Sequence, residues 1–109
     1  MRITNVSPGY CDPASYGVLV QFVLDGKEGS SYFEFSSSCP NGQLEQSVVS
    51  EPAKVVGGIL IEEQDVPIEL TASQENIARI AARKYYRDAL IFRSTAEQRA
   101  SGLTAVAHA

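Results

Sequence analysis

Apolar and polar residues alternate most clearly in YGVLVQFVLD, where Val18, Val20, Phe22 and Leu24 fall on one side of an extended chain. Leu19, Gln21 and Val23 take the other side, as the two-residue period of a strand requires. Both sides are largely apolar, so this strand is expected to be central. Asp25 to Gly29 supplies two glycines for a hairpin loop, and SSYFEFSSS returns with Phe33 and Phe35 on one face and Tyr32 and Glu34 on the other. Before this pair, Ile3 to Val6 reads as a short strand ended by Ser7-Pro8-Gly9, and GYCDPAS reads as a loop.

The middle of the chain patterns less cleanly. After a loop around Pro40-Asn41-Gly42, QLEQSVVSE is read as a strand that stops at Pro52, although Leu44, Gln46 and Val48 alternate poorly. KVVGGILIEE is expected to be one strand, its Gly57-Gly58 pair marking a bulge or a close backbone approach. Glu62 to Asp65 reads as a polar turn and VPIEL as a last short strand, with Val66, Ile68 and Leu70 on one face. Pro67 cannot donate to a ladder, which places this strand at a sheet edge.

From Gln74 to Phe92 the period changes to that of a helix, with no Gly or Pro. Thr71 with Gln74 fits a capping box, and Glu75 suits the positive end of the helix dipole. Ile77, Ala78, Ala81, Ala82, Tyr85, Ala89 and Phe92 form one broad face, rich enough in alanine to sit close against a sheet. Arg79, Arg83 and Arg87 form a row on the opposite side, with Tyr86 beside it. Ser94 to Glu97 is a second capping box, and Gly102 ends a short second helix. Strands followed by helix give an α+β fold: a mainly antiparallel sheet of four to five strands with one long C-terminal helix packed on one face. Residues 1–102 are expected to form a single domain and residues 103–109 a flexible tail.

Composition adds little to this but excludes much. The chain is 109 residues long, 44% hydrophobic and 20% charged, as ordinary globular domains are. MRITNVSPGY lacks the apolar run of a signal peptide, and no stretch of the chain could span a bilayer as a helix, so a cytoplasmic protein without membrane association is expected. In that reducing compartment Cys11 and Cys39 are expected as free thiols.

Catalytic chemistry finds little footing. The one histidine, His108, is the penultimate residue, where nothing would hold it as a general base. Two distant cysteines and that histidine do not make a zinc site, and Glu62-Glu63-Gln64-Asp65 lacks the glycine and spacing of a calcium loop. Glycine spacings for a nucleotide phosphate are missing too. The expectation is a protein that is not an enzyme and uses no cofactor or metal.

Charge is the feature that points outward. Residues 1–70 carry three basic and ten acidic side chains, a net of −7, whereas residues 71–109 carry six and three, a net of +3. Three readings compete for the cations Arg79, Arg83, Lys84 and Arg87. They could be a solvated helix face, with Glu75–Arg79 and Lys84–Asp88 pairing at one-turn spacing. They could be neutralised by the chain's own Glu62, Glu63, Asp65 and Glu69. Or they could recognise a partner, since arginines one turn apart present parallel forks and Tyr85 and Tyr86 add flat contact area. On the third reading the partner-binding residues are Arg79, Arg83, Lys84, Tyr86 and Arg87. The expected function is that of a small adaptor, inhibitor or regulatory subunit that binds a protein, one with an acidic surface, through this helix or through the sheet edge near Val66 to Leu70. Pairing at that edge or along Val55 to Glu62 would also make a homodimer. A nucleic-acid-binding protein using the same helix is the alternative, weakened by a net charge of −4. Small acidic domains of this kind are common among accessory proteins of bacteria, phages and mobile elements.

Overall fold

The computed structural model describes the backbone of residues 1–108 and the side chains of residues 1–91. Seven strands precede one helix: β1 (Arg2–Cys11), β2 (Ser15–Leu24), β3 (Lys27–Ser36), β4 (Gln43–Glu51), β5 (Lys54–Val56), β6 (Ile59–Ile61), β7 (Gln64–Pro67) and α1 (Ala72–His108). Five strands form an antiparallel sheet in the order β1-β2-β3-β4-β7, while β5 and β6 form a separate two-stranded hairpin. With the helix packed on one face of the sheet, the fold is α+β as the patterning predicts.

Register explains which residues meet. Val18 pairs with Phe33, and Tyr16 with Phe35, so the apolar side of β2 continues across β3. Val6 opposite Val20 and Ile3 opposite Phe22 extend that side onto β1. Ala78 and Ala82 of α1 close over it, and Val18, Val20, Phe33, Phe35, Ala78 and Ala82 form the wholly buried centre. Each large side chain so buried contributes about 1.5–3 kcal/mol. Alanine at the contact lets the helix axis approach the sheet, so α1 packs over β1, β2 and β3.

Several local features differ from the sequence reading. β1 runs through Ser7-Pro8-Gly9 to Cys11, because an edge strand tolerates a proline and the chain absorbs irregularities between Ile3 and Asn5 and between Pro8 and Cys11. The β2–β3 turn is only Asp25-Gly26, both with positive φ (51° and 76°), as a type I′ hairpin requires, so Lys27 to Gly29 already belong to β3. β4 alternates poorly because of a bulge: Gln46 faces Tyr32 while Leu44 faces Phe33, which leaves Glu45 as the extra residue. Gly57-Gly58 is the tip of the β5–β6 hairpin rather than a bulge inside one strand, with φ of 59° and 78°. β7 starts at Gln64, inside the segment that composition assigns to a polar turn, and its outer side is the open edge of the sheet.

The helix opens on the expected capping box. Thr71 N–H donates to Gln74 Oε1 (3.0 Å) and Gln74 N–H donates to Thr71 Oγ1 (3.2 Å). Thr71 is therefore the N-cap and Gln74 the third helical residue, and the helix begins at Ala72. The backbone is helical through Ser94 to Glu97, so the second capping box does not start a new helix. The boundary at 102 and the tail beyond it fall where side chains lie outside the described residues. Both cysteines are free. Among the described residues, no helix is long and apolar enough to cross a membrane.

Candidate functional site

Arg79, Arg83 and Arg87 do not share one environment. Arg79 turns back to the sheet: its Nε donates to the Gly42 carbonyl (3.3 Å), its Nη1 meets Glu75 Oε2 at 3.2 Å, and its guanidinium carbon lies 5.5 Å from the centre of the Phe33 ring. It fastens the helix to the start of β4, contrary to a place on the outward face. Tyr86 also faces inward. Its ring stacks on Phe35, with centroids 4.5 Å apart and planes at 16°, and tilts against Tyr16 at 5.5 Å. Helical spacing puts Tyr86 at the margin of the buried face, and only the aromatic residues of β2 and β3 decide that it packs there.

Arg83, half-buried, and Arg87, exposed, remain together on the flank of the helix. Along with Tyr86 they border a recess of about 260 Å³ whose far wall is Pro40 and Asn41. The β3–β4 loop supplies that wall by a compact turn. The Cys39 amide donates to the Ser36 carbonyl (3.1 Å) and lies within hydrogen-bond reach of Ser36 Oγ (3.1 Å), and the Gly42 amide donates to the Cys39 carbonyl (3.2 Å). Gly42 has φ of 87°, and a Cβ there would lie 2.7 Å from the Phe35 ring, so only glycine fits the turn against the core. Lys84 is exposed and lies farther round the helix, away from the recess.

Electrostatics leaves the recess positive. Among the described residues the only ion pairs are Lys27–Glu51 (2.7 Å) and Arg79–Glu75. None joins Arg83, Lys84 or Arg87 to Glu62, Glu63, Asp65 or Glu69, and Glu63 instead accepts a hydrogen bond from Ser50 Oγ (2.6 Å). Lys84 and Asp88 do not pair either. The two ways of neutralising the cations within the chain thus account for Arg79 alone.

A second recess, of about 270 Å³, lies on the other side of Tyr86, between the β1–β2 loop, Ser36-Ser37 and Leu90. Tyr16 lines it, and burial, followed by the neighbouring Tyr85, pushes its phenol above the usual tyrosine range. Its other polar lining comes from Asp12 and serines. A third, of about 400 Å³, opens beside β7 and is lined by Glu45, Glu69 and Glu75 without a cation. Of these three recesses, the arginine recess is the one to which positive charge and an aromatic wall converge.

Sequence reasoning missed the β5–β6 hairpin, whose Val55, Val56, Ile59 and Leu60 all stand exposed. The Gly-Gly pair between two aliphatic runs was the signal for it. Comparison with protein-family models, with curated proteins and with solved structures finds no match for this chain.

Proposed function

We infer that this chain is a small non-enzymatic interaction protein that receives an acidic segment of a protein partner in the recess of Arg83 and Arg87. The observation that carries the reading is that these two guanidinium groups share a concave site with Tyr86, Pro40 and Asn41 and, among the described residues, make no ion pair. Guanidinium groups one turn apart can each take a carboxylate in a bidentate fork, and a tyrosine ring beside them shields the contact from water. The recess has room for one or two side chains and does not track along the molecule as a nucleic-acid groove does. A net charge of −4 repels polyphosphate and acidic proteins alike at a distance, so an acidic segment is held by the local charge of this site. The open edge of β7 offers a second place where the same partner could add a strand.

The test uses fluorescence anisotropy with a labelled Glu/Asp-rich peptide and with single-stranded DNA of equal charge. The peptide is expected to bind, and Arg83→Glu plus Arg87→Glu to abolish its binding. Equal peptide binding by parent and variant overturns the reading. DNA binding that exceeds peptide binding and falls steeply with salt replaces it with nucleic-acid recognition by the same helix.

A further inference from the structure

Two apolar features stand uncovered, and their charges are opposite. The first is the β5–β6 hairpin. Val55 pairs with Leu60 and Val56 with Ile59, so the two pairs point to opposite faces and both faces are aliphatic. All four side chains are 54–69% exposed. A two-stranded hairpin of this length has little stability of its own in water. The chain leaves the hairpin through Glu62 and Glu63, both exposed, toward Asp65. The second feature is the side of α1 turned away from the sheet. Ile77, Ile80 and Ile91 are 41–65% exposed there, with Lys84 and Arg87 between them. These five follow one another at steps of three and four, the spacing of a single helix stripe.

Exposed aliphatic side chains grouped in this way mark contact sites. We propose that the two features cover each other between two copies of this chain: the hairpin of one lies across the outer stripe of α1 of the other, and a two-fold axis repeats the contact. Three observations converge on a second copy as the occupant. Each feature is aliphatic, so each supplies the surface the other lacks. The hairpin exits through two carboxylates against the one cation Lys54 at its start, and the stripe carries two cations against the neighbouring Asp88. Each keeps an excess of opposite sign, so the same docking brings Glu62 and Glu63 to Lys84 and Arg87. And within one copy no ion pair joins those groups among the described residues, so the division of −7 and +3 along the chain finds its complement in trans. The two-fold axis makes both contacts form between the same two copies, which closes the assembly as a dimer, whereas head-to-tail docking of the same patches would grow into a filament. The dimer leaves Arg83 and the recess wall free but takes Arg87, so dimer and acidic peptide would compete for that one residue; it goes beyond the peptide-binding reading and does not require it.

Hairpin and stripe together supply fewer residues than the roughly 20–30 a side of a standard interface. The dimer is therefore expected to dissociate in the micromolar range and to weaken with salt. Sedimentation velocity over a concentration series tests this. The parent chain should shift from monomer to dimer. Ile59→Asp with Leu60→Asp, and separately Ile80→Asp, should each raise the dissociation constant by at least about tenfold, since one buried charge costs more than the 1.4 kcal/mol that a factor of ten represents. All three positions are exposed, and circular dichroism checks that each variant is folded. Charge supplies the sharper arm. Glu62→Lys with Glu63→Lys should weaken self-association, as should Lys84→Glu with Arg87→Glu, whereas an equimolar mixture of the two proteins should dimerise again. A parent chain that is monomeric at all concentrations overturns the proposal. So does a dimer indifferent to the hairpin and charge variants, which is the result expected if the open β7 edges pair instead, and so does a mixture that fails to recover.

Discussion

Tyr86 stacks on Phe35 across the interface of helix and sheet, at 4.5 Å between ring centres. This one contact fixes where the helix flank stops being core and starts being surface. Arg83 lies one turn before Arg87, and Tyr86 sits between them in sequence, so a ring held by β3 also sets the positions from which both guanidinium groups reach the recess.

That double role separates stability from binding. Tyr86→Ala removes a half-buried ring and its aromatic partner and should cost about 2–3 kcal/mol, the low end for loss of a large apolar side chain. Arg87→Ala touches only exposed surface and should stay within about 0.5 kcal/mol of the parent. Urea unfolding of the two variants checks this. Equal destabilisation by both would show that Arg87 is held in the fold and is not available to a partner.

A second prediction concerns the buried polar side chains of the sheet. Ser31 and Ser47 face each other across β3 and β4, with hydroxyl oxygens 2.7 Å apart and almost no exposure. Ser47→Ala strands the Ser31 hydroxyl and should cost about 1–3 kcal/mol, the penalty for an unpaired buried group. Ser31→Ala with Ser47→Ala removes both partners and should cost clearly less than the sum of the single changes. Additive costs in a double-mutant cycle would mean that the two hydroxyls do not depend on each other.

How much of this was legible depended on how local the cause was. The alternation of Val18, Val20 and Phe22 and the pairing of Thr71 with Gln74 are set by neighbours in sequence, and both appear where the pattern puts them. Gly57-Gly58 reads as a bulge or a close backbone approach inside one strand, whereas the pair takes positive φ at a hairpin tip. A bulge and a hairpin turn make similar demands on a glycine. Only strand pairing distinguishes them. Pro8 removes one donor, which ends a central strand but not an edge strand, and the strand order was not readable. The candidate site was half legible. Helical spacing puts Arg83 and Arg87 on the side opposite the apolar face, whereas they lie on its flank beside Pro40 and Asn41, and Arg79 and Tyr86 are claimed by Gly42, Phe33 and Phe35, which come from a distant part of the chain. The wall of the recess, Pro40 and Asn41, could not have been joined to the helix without the fold.

The face of the sheet away from the helix yields a third prediction. Tyr32 lies across Gly17 and Gly9, and its hydroxyl accepts a hydrogen bond from the Tyr10 amide (2.9 Å). A Cβ at Gly17 would come within 1.8 Å of that hydroxyl and 2.8 Å of the Tyr10 carbonyl oxygen. Gly17→Ala should therefore cost about 1–3 kcal/mol through forced displacement of the ring and the adjoining strand. Tyr32→Phe keeps the ring over both glycines and should lose only about 0.5–1.5 kcal/mol with the hydrogen bond. Thermal unfolding orders the two, and a Gly17→Ala variant as stable as the parent would place the ring elsewhere.

Asp12 gives a prediction with a sign in pH. Its Oδ1 accepts the amides of Ala14 (2.7 Å) and Ser15 (2.8 Å) and the Ser15 hydroxyl (3.2 Å), which closes the β1–β2 loop. Those contacts, the Ala14 amide foremost and then the Ser15 amide, hold its carboxyl below the usual aspartate range. A folded value depressed below the unfolded one means that the charged form stabilises the folded loop above the unfolded pKa, and that this contribution is lost as pH falls through the folded value. Asp12→Asn keeps an oxygen acceptor but has no charge to lose, so its loop order should not follow that part of the titration. NMR titration of the parent should place Asp12 below the ordinary aspartate range, with the Ala14 and Ser15 amide shifts moving at the same pH. In the Asp12→Asn variant those two amides should stay flat through that range. An Asp12 that titrates in the ordinary aspartate range, or amide shifts that move equally in parent and variant, would mean that the loop is closed by something other than this side chain.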